Sequence, residues 1–314
     1  PAVMKIAYAI SITGCQGHFD GAAVLKHSIH LSSARNPSSG SHYDYEMFAF
    51  VHPVAENCTS ILHEMGYQVQ IRETPINITD IRGNFRNYAT KNGCCAEKEW
   101  LKLYTFTLVD YPVAVHLDID CLVLQPFDEL FDSMIFNNYN YSALPIMWKN
   151  QSLPERIDAF FTRDYNLVRP GKRQPRQIGV QGGFLVVRPN QSTYDEFVEL
   201  ILEGDFVPHH GWGGDLRYGG YYGAGTIQGL GAYYYGHIRP GKAVELNRCV
   251  YNSMVDIPYG DKPGVEGKCK TTEETCEDCR ETALENIKSV HYTVCFKPWK
   301  CILSHPNPWQ NGTK

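Results

Sequence analysis

The sequence has no apolar run approaching the roughly 18 residues a membrane-spanning helix needs, so nothing in its 314 residues reads as a bilayer span. It has no block of basic charge. With 29 Lys and Arg against 34 Asp and Glu, the formal net charge is −5, which argues against nonspecific nucleic-acid binding. Its 27 glycines and 18 prolines follow no period, which excludes a collagen-like chain. Internal repeats are missing, and no Ser/Gly- or Pro-rich linker divides the chain. One domain spanning 1–314 is therefore the expectation. Charged residues are only 20% and hydrophobic residues 43%, a balance that can bury a sizeable core and does not suit a disordered chain.

Cysteine, by contrast, is plentiful. Eleven cysteines suit an oxidising compartment better than the cytosol, and the odd number leaves one thiol unpaired or paired with a second chain. Asparagine-x-Ser/Thr triplets begin at Asn57, Asn77, Asn140, Asn150, Asn190 and Asn311. Each arises easily by chance, but with the cysteines they favour the lumen of the secretory pathway, the Golgi in particular. A signal or membrane anchor is expected upstream of Pro1.

Apolar patterning predicts an α/β fold. A strand over 4–12 runs into Thr13-Gly14, a helix covers 20–29, and strands at 45–51 and 67–71 flank a helix at 59–64 that Gly66 ends. That β-α-β-α-β opening predicts a parallel sheet with right-handed crossovers. Residues 97–109 have helical spacing, with Trp100, Leu101, Tyr104 and Leu108 on one stripe. An apolar strand over 113–117 follows, then a strand over 184–187 stopped by Arg188-Pro189 and a helix over 193–202. Residues 204–241 are rich in glycine and tyrosine without a period and read as a binding loop. A polar, cysteine-rich insertion occupies about 260–286.

Two clusters of residues carry chemistry. Asp118-Ile119-Asp120 follows the apolar strand directly, and alternation puts both carboxylates on one side. At the carboxyl end of a parallel strand, where α/β folds bind ligands, such a pair calls for a divalent cation. In a solvated turn it would need none, and the residues alone leave both readings open. Far downstream, His291 precedes Lys297-Pro298-Trp299. The histidine reads either as a hydrogen-bonded core residue or as a metal ligand beside a lysine poised for phosphate. Glycines 14, 17 and 21 miss the G-x-G-x-x-G spacing, so a dinucleotide fingerprint is rejected. Cys269, Cys276, Cys279, Cys295 and Cys301 read as disulfides that staple the insertion rather than as a zinc site, and two bridges are expected among them.

The ordered set Lys102-Leu103, Asp118-Ile119-Asp120, Gln181-Gly182-Gly183, Gln228-Gly229-Leu230 and His291…Lys297-Pro298-Trp299 resembles family 8 of the glycosyltransferases. These are the glycogenin-like and galactosyltransferase-like retaining enzymes. The resemblance implies a GT-A type, Rossmann-like mixed sheet flanked by helices in one catalytic domain. It implies Mn²⁺, with Mg²⁺ as the alternative, held by Asp118, Asp120 and His291, and a UDP-sugar donor whose diphosphate meets Lys297. Ile12, Gly14 and His18 would surround the uracil, and Ile119 would offer its backbone to the nucleoside. Lys102, Gln181, Gly182 and Gln228 would face the sugar, with Gln181, Gln228 and Lys297 as the catalytic set. The acceptor would be a glycan or glycoprotein hydroxyl. The acid that precedes Q-G-L in the family is Ile227 here, and Asp215 is a candidate substitute, although a turn role suits it better. Two other readings remain: a sugar-nucleotide-binding protein without activity, and a glycoside hydrolase using Asp118 and Asp120 about 6–7 Å apart.

Overall fold

In the computed structural model the described residues are 3–15, 19–91, 93, 95–137, 144–147, 153–168, 177–254, 256–260, 263–271, 273–293 and 297. The first strand, β1 (Lys5–Ile12), alternates strictly. Ile6, Tyr8, Ile10 and Ile12 enter one core with α1 (Phe19–Leu31), while Ala7 and Ala9 enter a second core on the other face. Next come β2 (Asp44–Val51), α2 (Ser60–Glu64) and β3 (Tyr67–Ile71), with Gly66 at φ +78° closing the second helix. The chain continues through β4 (Ala114–Leu117), β5 (Cys121–Val123), α3 (Asp128–Ile135) and β6 (Ala159–Phe161). Then follow β7 (Phe184–Val187), α4 (Gln191–Glu203), β8 (Phe206–Val207), β9 (Gly211–Trp212), α5 (Ile227–Tyr233), β10 (Ala243–Glu245) and β11 (Ser289–His291).

Seven strands form one sheet in the order β10-β6-β7-β4-β1-β2-β3. The pairs β1/β2, β2/β3, β1/β4 and β10/β6 are parallel, whereas β7 is antiparallel to both β4 and β6. The expected mixed sheet is therefore present, with β7 alone reversed. The reversal matters because it brings the turn just before β7 to the carboxyl end of β4, with Phe184 opposite Leu117.

Two expectations change. The stretch with helical spacing is a 3₁₀ helix, Ala96–Thr107, whose Trp100, Leu103 and Phe106 fill the second core. Its narrower winding also buries Lys102 and Thr105, so more of its circumference faces protein than a single stripe would. Residues 204–241 form no open loop. Trp212, Tyr218, Ile227, Leu230, Tyr233 and Tyr234 are buried, and their rings pack on one another and on Phe197. Close-packed aromatics without periodicity carry no sequence signature that separates them from a binding loop. Asp215 plays the turn role, accepting from the Arg217 amide and pairing with its guanidinium at 2.6 Å.

Three disulfides are present among the described residues: Cys15–Cys58, Cys249–Cys279 and Cys269–Cys276. The insertion is stapled as expected at Cys269–Cys276, but Cys279 leaves it to bridge Cys249 just after β10. Cys295 and Cys301, the other two cysteines named for this role, lie outside the described residues.

Candidate active site

Asp118 is placed by backbone pairing at the end of β4, its N–H donating to the Gly183 carbonyl at 3.0 Å. Asp120 follows just before β5. That short strand pairs antiparallel with β11 and sets His291 opposite Cys121. This two-strand ribbon is why a histidine 171 positions after Asp120 arrives beside it. The His291 N–H donates to the Ser253 carbonyl at 2.9 Å, and Tyr292 donates to Asp120, so the ribbon is tied at both sides.

The side chains converge. His291 Nε2 lies 3.1 Å from Asp120 Oδ1 and 4.0 Å from Asp118 Oδ2. Lys297 Nζ lies 2.6 Å from Asp120 Oδ2 and donates to the Tyr292 carbonyl. On the other side Lys102, almost fully buried, pairs at 2.8 Å with both Asp118 Oδ1 and Glu99 Oε2 and donates to the Gly182 carbonyl at 3.1 Å. Burial raises the carboxyl pKa of Asp118, and the Lys102 ammonium only partly offsets it. Burial acts on Asp120 the same way, but His291 and Lys297 outweigh it and hold that carboxyl well below the usual range. For Lys102, desolvation is overcome by Asp118 and Glu99, so its ammonium stays charged.

Gly183 makes this convergence possible. A Cβ there would overlap the His291 ring and come within 2.8 Å of Asp118 Oδ2. A Cβ on Gly182 would stand 2.7 Å from Ile227 and 3.2 Å from Gln228 Cγ. Lys102, Gly182 and Gln228 therefore do meet next to Asp118. The side chain of Gln181 is employed locally: its Oε1 accepts from the Gly183 amide at 2.5 Å, and its Nε2 reaches Met254 Sδ at 3.6 Å. Gln228 also lies against Gly223.

Ile119 is half-buried on the first core. Ile12 and Gly14 lie at the same sheet edge as Asp118, since β1 runs parallel beside β4 with Ala9 opposite His116. The Ile12 side chain is fully buried and its carbonyl accepts from the His52 amide. His18, Pro298 and Trp299 lie outside the described residues.

Two residues escaped the sequence reading. Glu99 is the second partner of Lys102, and the i,i+3 spacing on a helix was the available signal. Cys121 is a free buried thiol whose sulfur joins Asp120 and His291 in a cluster with ligand atoms within 4.8 Å. Burial raises its pKa, so it presents the thiol rather than the thiolate.

The donor set fits a divalent cation. Asp120, His291 and the Cys121 sulfur bring ligand atoms within 4.8 Å of one another, Asp118 Oδ2 lies 4.0 Å from His291 Nε2, and the buried Nδ1 of His291 has no hydrogen-bond partner among the described residues. Oxygen-rich donors with one imidazole suit Mn²⁺ or Mg²⁺ better than a tetrahedral zinc.

No family model and no curated protein matches the sequence. Solved structures do. Mouse xyloside xylosyltransferase 1 in its apo form superposes with a TM-score of 0.53 at 14% identity, covering 95% of this chain and 100% of that one. The apo bifunctional glycosyltransferase WbbM gives a TM-score of 0.48 at 14% identity over 94% of this chain and 47% of its own. The galactosyltransferase LgtC, bound to donor and acceptor sugar analogues, gives 0.45 at 13% identity over 95% and 90%. The chain has the GT-A glycosyltransferase fold.

Proposed function

We propose that the chain is a metal-dependent retaining glycosyltransferase that moves a sugar from a UDP-sugar to a hydroxyl of a glycan or glycoprotein in the lumen of the secretory pathway. The observation that carries this reading is the meeting of Asp118, Asp120, His291 and Lys297 at the carboxyl end of β4 in a GT-A fold. Asp118, Asp120 and His291 would hold Mn²⁺, which supplies a positive centre for the charge that builds on the leaving diphosphate. Lys297 adds a second cation on the same side. Lys102, locked by Asp118, Glu99 and the Gly182 carbonyl, fixes the floor on which the sugar would rest. The retaining outcome rests on the resemblance to family 8, and the lumenal setting is supported by three disulfides.

The test is a thermal-shift panel of nucleotide-sugars with Mn²⁺ or chelator, followed by UDP release with the donor that stabilises. One UDP-sugar should raise the melting temperature only with metal, and Asp118→Asn, Asp120→Asn and His291→Ala should each abolish UDP release. Full turnover in chelator would overturn the metal assignment, and stabilisation by no nucleotide-sugar would overturn the transferase.

A further inference from the structure

Of the asparagine-x-Ser/Thr triplets, Asn77-Ile78-Thr79 and Asn190-Gln191-Ser192 fall on described, exposed backbone in the same local geometry. Each asparagine is an N-cap. Asn77 Oδ1 accepts from the Thr79 amide at 3.0 Å and from its hydroxyl at 2.8 Å, and Asn190 Oδ1 accepts from the Ser192 and Thr193 amides at 2.8 and 3.4 Å. In both, Nδ2 donates to no described residue. Three other asparagines use theirs: Asn36 Nδ2 donates to Leu31, Asn247 Nδ2 to Glu277 and Asn252 Nδ2 to Thr162. At Asn77 and Asn190, both exposed, the fold thus uses the oxygen and leaves the nitrogen without a partner among the described residues. Substitution on Nδ2 removes no hydrogen bond.

Placement agrees with this. Because β7 is reversed, its end at Val187 lies opposite Ala114, the start of β4. Asn190, three residues further on, is therefore at the sheet edge away from Asp118. Asn77 follows β3, the outermost strand, separated from β4 by β1 and β2. A group on Asn190 stands at the opposite sheet edge from the candidate site, and one on Asn77 stands on the same edge but beyond β1 and β2. Asn57 differs in its middle residue: Cys58 is bridged to Cys15, which ties that triplet to the chain before α1.

We infer that Asn77 and Asn190 carry N-linked glycans, a modification that rests on the lumenal part of the proposed function. The donor class is an oligosaccharide on a polyprenyl diphosphate. Asparagine Nδ2 forms a bond to sugar C1, the C1–oxygen bond to the diphosphate breaks, the lipid diphosphate leaves with the electron pair, and the amide proton passes to a base of the transferring enzyme.

The test uses the full chain secreted from eukaryotic cells behind a cleavable leader, with glycan release by N-glycosidase, peptide mass mapping and a thiol count on the same sample. Conversion of Asn77 and Asn190 to Asp on glycan release is the expected result. Thr79→Ala and Ser192→Ala should each lose one glycan while keeping the Asn oxygen cap on the backbone amides, so folding is retained. A chain with all three disulfides formed and both asparagines unmodified would overturn the glycan assignment and leave the compartment standing. A secreted, folded chain with those six cysteines free would overturn the compartment reading, and this inference with it.

Discussion

Asp118 and Asp120 are the same side chain given different neighbours. Lys102 approaches one from the buried 3₁₀ helix, while His291 and Lys297 approach the other from the ribbon side. Both aspartates, His291 and Lys297 were legible in the sequence, because polar residues directly after an apolar strand or beside Pro-Trp stand out from their context. Glu99 and Cys121 were not: a glutamate at the start of a helix looks solvated, and a single cysteine in a β segment looks like core. Asp164 was equally silent. It is buried beside Asp256, Arg248 and Cys279 while accepting from the Asn166 and Leu167 amides, and burial together with Asp256 pushes its pKa up to about 6. Since folding raises this value, the native state keeps a proton that the unfolded chain releases near pH 4. Its favourable contribution is complete below that pH and disappears as pH rises through about 6. Asp164→Asn, which can still accept from both amides, should therefore match wild type near pH 4 and be more stable by about 3 kcal/mol above pH 6.5. Urea unfolding across pH 4–7.5 measures the difference, and a gap independent of pH would disprove the assignment.

Strands and helices were legible in proportion to their regularity. The elements from β1 to β3 and the β7–α4 pair lie within a few residues of expectation, because period 2 and period 3.6 each leave a clear trace in the sequence. The β5–β11 ribbon was invisible. Three-residue strands have no period, and their pairing spans 170 positions between Cys121 and His291. What steadies the distal strand is partly covalent: the Cys249–Cys279 bridge ties the segment after β10 to the chain leading into β11. Replacing both with Ala should lower unfolding free energy by about 3 kcal/mol. It should also weaken Mn²⁺-dependent UDP binding, because His291 depends on that ribbon for its position. Denaturant melts and calorimetry on the double variant check both parts; intact UDP affinity alongside lost stability would uncouple ribbon from site.

For the molecule as a whole, the reversed β7, the long sheet and the β5–β11 ribbon bring five separate stretches of chain to one edge, around 3₁₀ residues 99–102, β4, the turn at 181–183, α5 and β11. The motif order hinted at that assembly; the core under 204–241 was hidden because aromatic packing leaves no period. Lys297 gives the assembled edge a thermodynamic consequence. Its ammonium neutralises the oxygen of Asp120 that a dication would also want. A metal arriving alone must compete with an internal cation, whereas a metal arriving with a diphosphate offers Lys297 a new anion in exchange. On the proposed function, loading would then be heterotropic, each ligand raising the affinity of the other by the same factor. Lys297→Ala should accordingly act with opposite signs, tightening Mn²⁺ alone severalfold and weakening UDP in saturating Mn²⁺ by tenfold or more, about 1.4 kcal/mol. Paired titrations of metal without nucleotide and nucleotide with metal read the two signs, and a same-direction change in both would show that Lys297 competes with nothing. Under the proposed function, the lysine would make the edge respond to the metal–nucleotide pair as one ligand and discriminate against either member on its own.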